Sequence, residues 1–538
     1  MEQNRDWPGW PEEFAARYRA AGHWRGVTFG EQLSGWAVEF ATRTALVDGD
    51  RRWTYAELEA DARRISSGLS ALGLRRGDRV IVQLPNSAEF VLIWFALVRI
   101  GIVPVHAMPA HRRTEITHLA KLAEAAGYIV ADRHARFDYR ELAAQVRDDA
   151  GVRHVIVIGD PGEHAGFTTF DDLLATPAGP DPAELPQASD LALLLLSGGT
   201  TGMPKLVPRT HDDYAYNARL AAEICELNQD SVYLAVLPIA FNYTMACPGI
   251  LGVFQVGGAV VIAPLPGAQT AFELIARERV TIASINPPLV PHWLAEYEYG
   301  EADLSSLRIL QVGSARLADD LAAMVTKTLD CRLQQVFGMA EGLLCLTRLD
   351  DPDDLVHTTQ GVPISADDEL RVVDPDGAEV AVGEVGELLT RGPYTLRGYY
   401  RAAEQNARGF TADGFYRTGD LVKLLPSGHV NVVGRAKDQI NRGGQKIDAT
   451  EVEGHLLAYP GIVSAALLPE PDAVLGERSV AFLICSGEPP RTAALQAFFR
   501  DREVAAYKVP DRLQIVEQMP STAVGKVDKK ALASQYIH

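Results

Sequence analysis

The feature that most constrains the fold is a series of short apolar runs along the first two thirds of the chain. Stretches compatible with helices separate them. One such stretch begins with a capping box, Thr54 and Glu57, and continues with apolar residues three and four positions apart as far as Leu72. Apolar runs of this length indicate buried parallel strands, and repeated strand–helix units predict doubly wound α/β layers. The runs are Tyr128–Ala131, His154–Ile158, Leu191–Leu196, Gly258–Ala263, Val280–Ile285 and Leu307–Val312.

The pattern changes near Asp367. Short strands then alternate with turns rich in proline and glycine, which predicts a small β-rich subdomain over about 367–436. A charged joint, Arg435–Asp438, follows, and a new strand–helix pattern runs from there to the C-terminus. We therefore predict an N-terminal core of residues 1–436 and a small α+β C-terminal domain of residues 437–538, with the boundary at Lys437. The predicted short strands are Leu370–Asp374, Gly386–Thr390, Leu421–Leu425, His429–Val433, Leu467–Pro469 and Val480–Ile484.

Composition and charge argue against several function classes. The 538 residues include 51 basic and 70 acidic side chains, a formal net charge of −19, which is opposite in sign to that of nucleic-acid-binding proteins. The five cysteines form no CxxC pair, so the sequence predicts neither a zinc site nor a disulfide framework. The longest apolar run, Phe90–Val98, is too short to cross a bilayer. We expect a cytoplasmic enzyme with neither a nucleic-acid partner nor a membrane partner.

A glycine-rich segment directly follows the run Leu191–Leu196. It reads Ser197-Gly198-Gly199-Thr200-Thr201-Gly202-Met203-Pro204-Lys205. Glycines let the backbone approach an anion closely, hydroxyls add donors and Lys205 adds positive charge, so the segment predicts a phosphate cradle. A plain surface turn is the alternative. The P-loop of kinases and ATPases is disfavoured, because Pro204 precedes the lysine and Leu206 follows it in place of Ser or Thr.

Together with four further motifs, this segment resembles the adenylate-forming (ANL) superfamily, which includes acyl-CoA synthetases, luciferases and peptide-synthetase adenylation domains. The motifs occur in the superfamily's order over about 330 residues, so the resemblance covers essentially the whole chain. It implies that the C-terminal domain is mobile and rotates about a hinge at Lys437. The four motifs are Val336–Glu341 for adenine and magnesium, Gly414–Asp420 for ribose, Gly434–Ile440 for the hinge and Gly525-Lys526 for the catalytic lysine.

Three other stretches resemble the stand-alone aryl acid–AMP ligases that activate salicylate or 2,3-dihydroxybenzoate: Pro208–Tyr214, Arg391–Tyr394 and Asn441–Lys446. The resemblance implies that ATP and Mg²⁺ convert an aromatic carboxylic acid to its adenylate with release of pyrophosphate. The acyl group then passes to the phosphopantetheine thiol of an aryl carrier protein, as in siderophore and nonribosomal peptide biosynthesis. A free-standing aryl-CoA ligase is the close alternative. A basic surface for an acidic carrier would use Arg491, Arg500, Arg502, Lys508 and Arg512.

The implied chemistry brings two anions together, since an aryl carboxylate attacks the α-phosphorus of ATP, so the site must supply cations and oriented donors. The resemblance makes Lys526 the catalytic lysine; the alternative is a solvated tail lysine. Lys205 and His211 are the other catalytic candidates, although a histidine in a loop is more often simply solvated. Glu341 is the expected Mg²⁺ ligand. The expected ATP or AMP contacts are Asp420 and Arg435 at the ribose, and Ser197, Gly198, Gly199, Thr200, Thr201, Gly202, Gly313, Ser314, Ala315, Val336, Phe337, Gly338 and Met339.

The acid pocket implied by the resemblance corresponds to Ala240–Gly249. Asn242 matches the residue that recognises an ortho hydroxyl, and Tyr243 offers a flat wall for the ring. Cys247 stands where dihydroxybenzoate enzymes have a serine, and Leu344 where they have a smaller valine. Both residues make the pocket smaller and less polar at its meta edge, where a 3-hydroxyl of the acid would lie. We therefore expect a preference for salicylate over 2,3-dihydroxybenzoate.

One residue departs from the pattern of the aryl acid ligases. Phe241 stands where a histidine is usual, which leaves anthranilate or a hydroxypicolinate open as the acid. A dihydroxybenzoate–AMP ligase is a further alternative. The alternative from a different class is a non-catalytic nucleotide-binding protein, which should lack Lys526, Glu341 or Asp420; all three are present.

Overall fold

The computed structural model describes residues 6–197, 203–435, 439–442, 445–472, 475–502, 504, 506–522 and 525–537. The strands are β1 (Thr44–Asp48), β2 (Arg51–Thr54), β3 (Arg79–Gln83), β4 (Val103–His106), β5 (Gly127–Ala131), β6 (Arg133–His134), β7 (Phe137–Asp138), β8 (His154–Ile158), β9 (Phe167–Thr169), β10 (Leu191–Leu196), β11 (Leu206–Thr210), β12 (Val232–Ala235), β13 (Ala259–Ile262), β14 (Ile282–Ile285), β15 (Ile309–Gly313), β16 (Arg332–Gly338), β17 (Leu344–Leu346), β18 (Val362–Pro363), β19 (Glu369–Val373), β20 (Val385–Arg391), β21 (Tyr416–Leu424), β22 (Val430–Arg435), β23 (Gln439–Arg442), β24 (Gln445–Asp448), β25 (Ile462–Asp472), β26 (Gly476–Cys485) and β27 (Arg512–Ile515).

The α-helices are α1 (Glu12–Ala20), α2 (Phe29–Glu39), α3 (Tyr55–Ala71), α4 (Ala88–Arg99), α5 (Arg113–Ala123), α6 (Tyr139–Ala150), α7 (Phe170–Leu174), α8 (His211–Ile224), α9 (Asn242–Ala246), α10 (Gly249–Gln255), α11 (Ala268–Glu278), α12 (Val290–Tyr299), α13 (Asp319–Thr328), α14 (Asp353–Thr358), α15 (Ala403–Gly409), α16 (Ala449–Leu457), α17 (Thr492–Asp501) and α18 (Lys529–Tyr536). Within the described ranges, 3₁₀ turns lie at Pro287–Leu289 and Ala506–Lys508. Among the described residues, no helix is both long enough and apolar enough to span a membrane.

Two large sheets form the N-terminal part. One has seven strands in the order β11-β10-β4-β3-β5-β8-β9, and the other has nine in the order β18-β17-β16-β15-β14-β12-β13-β1-β2. Neighbouring strands from β16 through β1 in the second sheet are parallel, with helices between them in the chain. These layers confirm the predicted α/β class, and all six apolar runs form strands.

The run Leu191–Leu196 forms a strand with one parallel and one antiparallel neighbour. Strand β10, the run Leu191–Leu196, is parallel to β4 on one side but antiparallel to β11 on the other. The glycine-rich segment therefore joins two adjacent antiparallel strands, whereas a P-loop joins a strand to a helix.

The longest apolar run of the sequence forms helix α4, which lies at the centre of the core. All twelve of its residues are buried, and it contacts β1 of one sheet and β4 of the other. A helix that is apolar all round must be covered on every side, and α4 is covered by both sheets and by α2 and α3. This helix therefore joins the two sheets through one continuous apolar cluster.

Beyond the two large sheets lie two smaller ones. Strands β19 to β22 form a four-stranded antiparallel sheet, as the β-rich pattern predicted. Strand β21 begins at Tyr416, before the predicted Leu421, so Asp420 lies within this strand. The C-terminal part is a five-stranded sheet of β23 to β27 with helices α16 to α18, which agrees with the α+β prediction. The boundary residue Lys437 lies outside the described residues.

Candidate active site

The carboxyl ends of four parallel strands, β12, β14, β15 and β16, meet at one edge of the nine-stranded sheet. In open α/β sheets ligands bind outside this edge. Gly313 ends β15, and a Cβ atom at this position would lie 3.1 Å from the Tyr243 ring and 2.8 Å from the Val336 carbonyl. The predicted acid-pocket residue Tyr243 and the predicted nucleotide residues Gly313 and Val336 are therefore in direct contact.

The neighbouring nucleotide candidates lie at the same strand ends. Ser314 follows β15 with a φ of 70°, and its hydroxyl oxygen is buried. Gly338, at the end of β16, and Ala315 are exposed, while Phe337 and Met339 are half-buried. The backbone here is open enough for a flat ligand to lie against it. Residues 198–202, predicted to cradle the phosphates, lie outside the described residues.

The base of the glycine-rich segment is nevertheless described. The Ser197 amide donates to the Lys205 carbonyl at 3.0 Å, and the Lys205 amide donates to the Ser197 hydroxyl at 3.2 Å. These two bonds close the segment where it leaves β10 and enters β11. The Lys205 ammonium lies 4.0 Å from the centroid of the Tyr399 ring, a cation–π contact. Burial lowers the pKa of Lys205, while the charge of Glu341 opposes this effect.

Glu341 is held by a chain of tyrosine hydroxyls. The Tyr399 hydroxyl donates to the Glu341 carboxylate at 2.8 Å. The Tyr416 hydroxyl lies 2.8 Å from that of Tyr399, and because Tyr399 has already used its proton, Tyr416 must be the donor in this second bond. Burial and the charge of Glu341 raise the pKa of both tyrosines, so both keep their protons. The carboxylate of Glu341 therefore stays fixed and able to accept further partners.

Arg209 holds the segment that carries Glu341 from the other side. It is 1% exposed, its Nε donates to Asp213 at 2.6 Å, and its Nη1 donates to the Ala340 carbonyl at 3.2 Å. Its Nη2 is buried and has no hydrogen-bond partner among the described residues. Breaking a buried ion pair between a guanidinium and a carboxylate is costly, so Asp213 holds Arg209 in place. The bond from Arg209 to the Ala340 carbonyl then fixes the residue before Glu341.

The two predicted ribose residues lie opposite each other on neighbouring strands. Asp420 of β21 and Arg435 of β22 are in register, and the Arg435 Nε donates to the Asp420 carboxylate at 2.7 Å. Asp420 is only 4% exposed, whereas Arg435 is half-buried. Arg435 therefore orients the Asp420 carboxylate from the neighbouring strand.

Three of the residues predicted for the acid pocket lie on the short helix α9 or directly after it. Asn242 begins the helix, Tyr243 follows, and Cys247 comes directly after its end. The Asn242 amide nitrogen lies 3.7 Å from the Cys247 sulfur, and its amide oxygen is buried with no partner among the residues that the structure describes. Burial raises the pKa of Cys247 to about 12, so the thiol stays neutral. The predicted pocket residues thus supply one buried amide oxygen that has no partner in the described part of the chain, and a neutral thiol beside the same amide.

Leu344 contributes to the same apolar cluster as Tyr243 and Cys247. It is 1% exposed, and one of its methyl groups would lie 2.9 Å from a Cβ atom placed on Gly338. Phe241 packs against this cluster too, with its ring centroid 6.4 Å from that of Tyr243. Phe241 and Tyr243 are thus in ring contact, while Cys247 and Leu344 are buried in the same large apolar cluster.

Lys526 lies on a tight turn that packs against the edge of the nine-stranded sheet. Ser521 and Val527 form a β-bridge across this turn, and the Lys526 amide donates to the Thr522 hydroxyl at 3.1 Å. Gly525 has a φ of 75°, and a Cβ atom there would lie 3.0 Å from the side-chain amide nitrogen of Asn286. Asn286 directly follows β14. The turn therefore brings Lys526 to the strand ends that carry the other candidate residues.

His211 does not lie in a loop, as the sequence suggested. It is the first residue of helix α8 and is fully buried. Its Nδ1 accepts a bond from the Phe29 amide at 3.2 Å, and burial lowers its pKa to about 4. The ring is neutral and held from within the core, which excludes a solvated histidine. Its catalytic role stays a prediction.

The proposed basic surface is largely neutralised. Lys508 bonds to Glu451 at 2.6 Å, Arg512 to Glu470 at 2.8 Å and Arg502 to Asp320 at 2.7 Å. Arg491 and Arg500 are 87% and 78% exposed and lie 3.8 and 3.9 Å from the nearest carboxylates, Glu488 and Asp501. The five side chains do not form one free basic patch.

Sequence reasoning missed three residues of this site: Tyr399, Arg209 and Asn286. Tyr399 lies 58 positions after Glu341, and Arg209 lies 131 positions before Ala340. Arg209 belongs to the motif Pro208–Tyr214, so the sequence marks its position but does not indicate its role. No local pattern in the sequence marks the other two.

The chain is similar to known proteins over nearly its whole length. The AMP-binding enzyme family matches residues 33–400, and the AMP-binding enzyme C-terminal domain matches residues 451–526. The chain is 50% identical to a 2,3-dihydroxybenzoate-AMP ligase of Bacillus subtilis, over 97% of this chain and 96% of that protein. It is 46% identical to a salicyl-AMP ligase / salicyl-S-ArCP synthetase of Mycobacterium tuberculosis, over 98% and 94%. The apo structure of Mycobacterium smegmatis MbtA is 45% identical, with a TM-score of 0.77, and the match covers 98% of this chain and 99% of that one.

Proposed function

The chain belongs to the AMP-binding enzyme family and is an aryl acid–AMP ligase, and from this premise we propose that its acid is salicylate. The observation that carries the proposal is the composition of the pocket edge. Asn242 supplies the unpaired amide oxygen for an ortho hydroxyl, while Cys247 and Leu344, 3% and 1% exposed, make the rest of the edge apolar. A second hydroxyl on the ring would be buried there without a good partner.

The amide of Asn242 suits an ortho hydroxyl for a chemical reason. Its buried oxygen can accept the proton of a phenol, whereas a phenolate would need the nitrogen, which lies near the Cys247 sulfur. A neutral phenol therefore satisfies an atom that is otherwise unpaired. Benzoate, which lacks the hydroxyl, leaves the oxygen unpaired, and this costs about 1–3 kcal/mol, or roughly five- to 150-fold in specificity.

Adenylation places the aryl carboxylate against the α-phosphate, and we assign the charge-stabilising role to Lys526. Its turn packs beside Asn286, which directly follows β14, the neighbour of β15. An ammonium held between two anions lowers the energy of the transition state more than that of the separated reactants. Lys205, half-buried beside Tyr399, is proposed to interact with the leaving pyrophosphate.

We propose that Glu341 holds the Mg²⁺ that accompanies ATP. Its carboxylate is 6% exposed and oriented by Tyr399, and oxygen ligands are those that Mg²⁺ prefers. In the described part of the chain no group of three or more His, Cys, Asp or Glu side chains could hold a metal ion by itself. One carboxylate plus phosphate oxygens is the usual arrangement for this ion, which neutralises phosphate charge when it is bound.

Ribose binding is proposed for Asp420, with Arg435 orienting its carboxylate. We further propose that the activated acyl group passes to the phosphopantetheine thiol of an aryl carrier protein, in siderophore or nonribosomal peptide biosynthesis. A location in the cytoplasm stays a prediction from the sequence.

Mass spectrometry of reaction mixtures tests the proposal. Incubation with ATP, Mg²⁺ and one acid should give salicyl-AMP in clear excess over the adenylates of benzoate, anthranilate and 2,3-dihydroxybenzoate. Addition of a phosphopantetheinylated aryl carrier protein should consume salicyl-AMP faster than the same concentration of CoA does. Excess 2,3-dihydroxybenzoyl-AMP would refute the choice of acid, and faster consumption by CoA would identify an aryl-CoA ligase.

A further inference from the structure

The chain segment that leads into the acid pocket is held by side chains from the other sheet. Asn86 follows β3 of the seven-stranded sheet, and its amide nitrogen donates to the carbonyls of Ala235 at 3.3 Å and Leu237 at 3.1 Å. Its amide oxygen accepts from the Ile239 amide at 2.9 Å. The backbone from β12 to Ile239 is therefore anchored in a fixed position just before the pocket.

The next residue, Ala240, is held by a buried histidine. His106 ends β4 and is fully buried, and its Nδ1 lies 3.0 Å from the Ala240 carbonyl oxygen. On the other side of the ring, the Trp94 indole nitrogen lies 3.0 Å from Nε2. An indole N–H can only donate, so Nε2 must accept. The ring proton is therefore on Nδ1, which donates to Ala240.

This hydrogen-bond pattern is stable because the ring is neutral. Burial lowers the pKa of His106 to about 4. The Phe90 ring packs edge-on against the imidazole at 5.6 Å, so the ring plane is held as well. Above about pH 5 the histidine has one proton, one donor atom and one acceptor atom, each with a single partner.

The bond to Ala240 acts on the pocket through the backbone. The Ala240 carbonyl belongs to the peptide that joins Ala240 to Phe241, and Phe241 is the N-cap of α9, whose first residue is Asn242. The Phe241 amide bonds to Pro238, and its carbonyl accepts from Met245. The direction of the Ala240 carbonyl therefore sets where α9 begins and where the Asn242 amide lies.

We propose that His106 is a positioning residue for the acid pocket: its Nδ1–H bond to the Ala240 carbonyl places Asn242 against the ortho substituent of the acid. The inference rests on the proposed function, since it assigns His106 to the pocket of that reaction. No contact between His106 and the acid is required, because the effect passes through Ala240 and the start of α9.

Two substitutions of similar polarity separate this role from a general structural one. The amide of asparagine overlays Nδ1 of histidine, so His106→Asn keeps a donor for Ala240. The amide of glutamine overlays Nε2, so His106→Gln keeps a partner for Trp94 and loses the donor to Ala240. Trp94→Phe keeps an aromatic ring at this position and removes the donor that fixes the tautomer.

The assay is acid-dependent ATP–pyrophosphate exchange with salicylate and with benzoate. In His106→Gln the KM for salicylate should rise about tenfold, the KM for ATP should change less than twofold, and the preference for salicylate over benzoate should fall. His106→Asn should stay within threefold of the unaltered protein, and Trp94→Phe should fall between the two. The matched control is Tyr55→Phe, which removes another buried hydrogen bond to a backbone carbonyl, that of Gly258, without contact to the pocket segment.

Equal losses in the two His106 variants, or equal changes in the KM values for salicylate and ATP, would overturn the positioning role while leaving the proposed function intact. If another benzoate supports faster exchange in the unaltered protein, the same comparison is made with that acid and with its analogue lacking the ortho substituent. Absence of exchange with every acid in the unaltered protein would refute the proposed function itself, and the inference with it.

Discussion

The proposed acid preference should be reversed by two substitutions, at the two residues that we assign to the meta edge of the pocket. Cys247→Ser introduces a hydroxyl that can pair with the 3-hydroxyl of 2,3-dihydroxybenzoate. Leu344→Val removes one methylene from a side chain that is 1% exposed and so makes room for that hydroxyl. The double variant should therefore accept the dihydroxy acid far better than the unaltered protein does.

The size of this change in acid preference follows from the cost of burying the 3-hydroxyl without a good partner. A buried hydroxyl without a partner costs about 1–3 kcal/mol, and Cys247 offers only a neutral thiol as a weak partner. The serine should recover most of this cost. Since 1.4 kcal/mol corresponds to a tenfold change, the ratio of kcat/KM for 2,3-dihydroxybenzoate to that for salicylate should rise about 10- to 100-fold. The lost methylene should lower the free energy of unfolding by about 1 kcal/mol.

Pyrophosphate exchange with each acid, at saturating ATP, measures this ratio. The matched control is Cys331→Ser, which changes a half-buried cysteine directly before β16, at the end of that strand opposite Gly338. This control should leave the ratio unchanged. An unchanged ratio in the double variant, with the protein folded and active on salicylate, would refute the assignment of Cys247 and Leu344 to the meta edge.

Three further results are expected. Lys526→Ala should lower pyrophosphate exchange by about 10²–10³-fold and leave transfer of preformed salicyl-AMP to the carrier thiol unchanged; equal losses in both half-reactions would contradict its role. Glu341→Gln should raise the Mg²⁺ concentration for half-maximal exchange by about tenfold, and Tyr399→Phe by less, because Tyr399 only orients the carboxylate; an unaltered Mg²⁺ titration in Glu341→Gln would exclude it as the ligand. The pKa of histidine is near 6.5 in an unfolded chain and about 4 for His106 in the native protein, so acid favours the unfolded state. Between pH 6.5 and 5 this difference should lower the free energy of unfolding by about 2 kcal/mol. Urea unfolding of His106→Asn should show a loss smaller by that amount; an identical loss would show that His106 does not titrate as its burial requires.

The layers of the fold could be predicted from the sequence because their signals are local. Each apolar run, such as Val280–Ile285, specifies a strand without reference to the rest of the chain, and the capping box at Thr54 specifies a helix start. The antiparallel pairing of β10 could not be predicted in this way, because strand direction depends on the neighbour and not on the run itself.

The candidate site was predictable only where a motif marks it. Glu341 lies in such a motif, but the hydroxyl that orients it comes from Tyr399 on a distant segment. His106 and Ala240 are likewise 134 positions apart, and their hydrogen bond depends on how the two sheets pack around α4. Partners of this kind follow from tertiary packing, which the order of residues does not display.

Salicylate-dependent ATP–pyrophosphate exchange by the unaltered protein tests the central claim most directly. With ATP and Mg²⁺ fixed and the acid varied, exchange should require an acid and be fastest with salicylate, about 10- to 100-fold above 2,3-dihydroxybenzoate in kcat/KM. Exchange that is independent of aromatic acid, or that is fastest with an acid lacking an ortho substituent, would contradict the account.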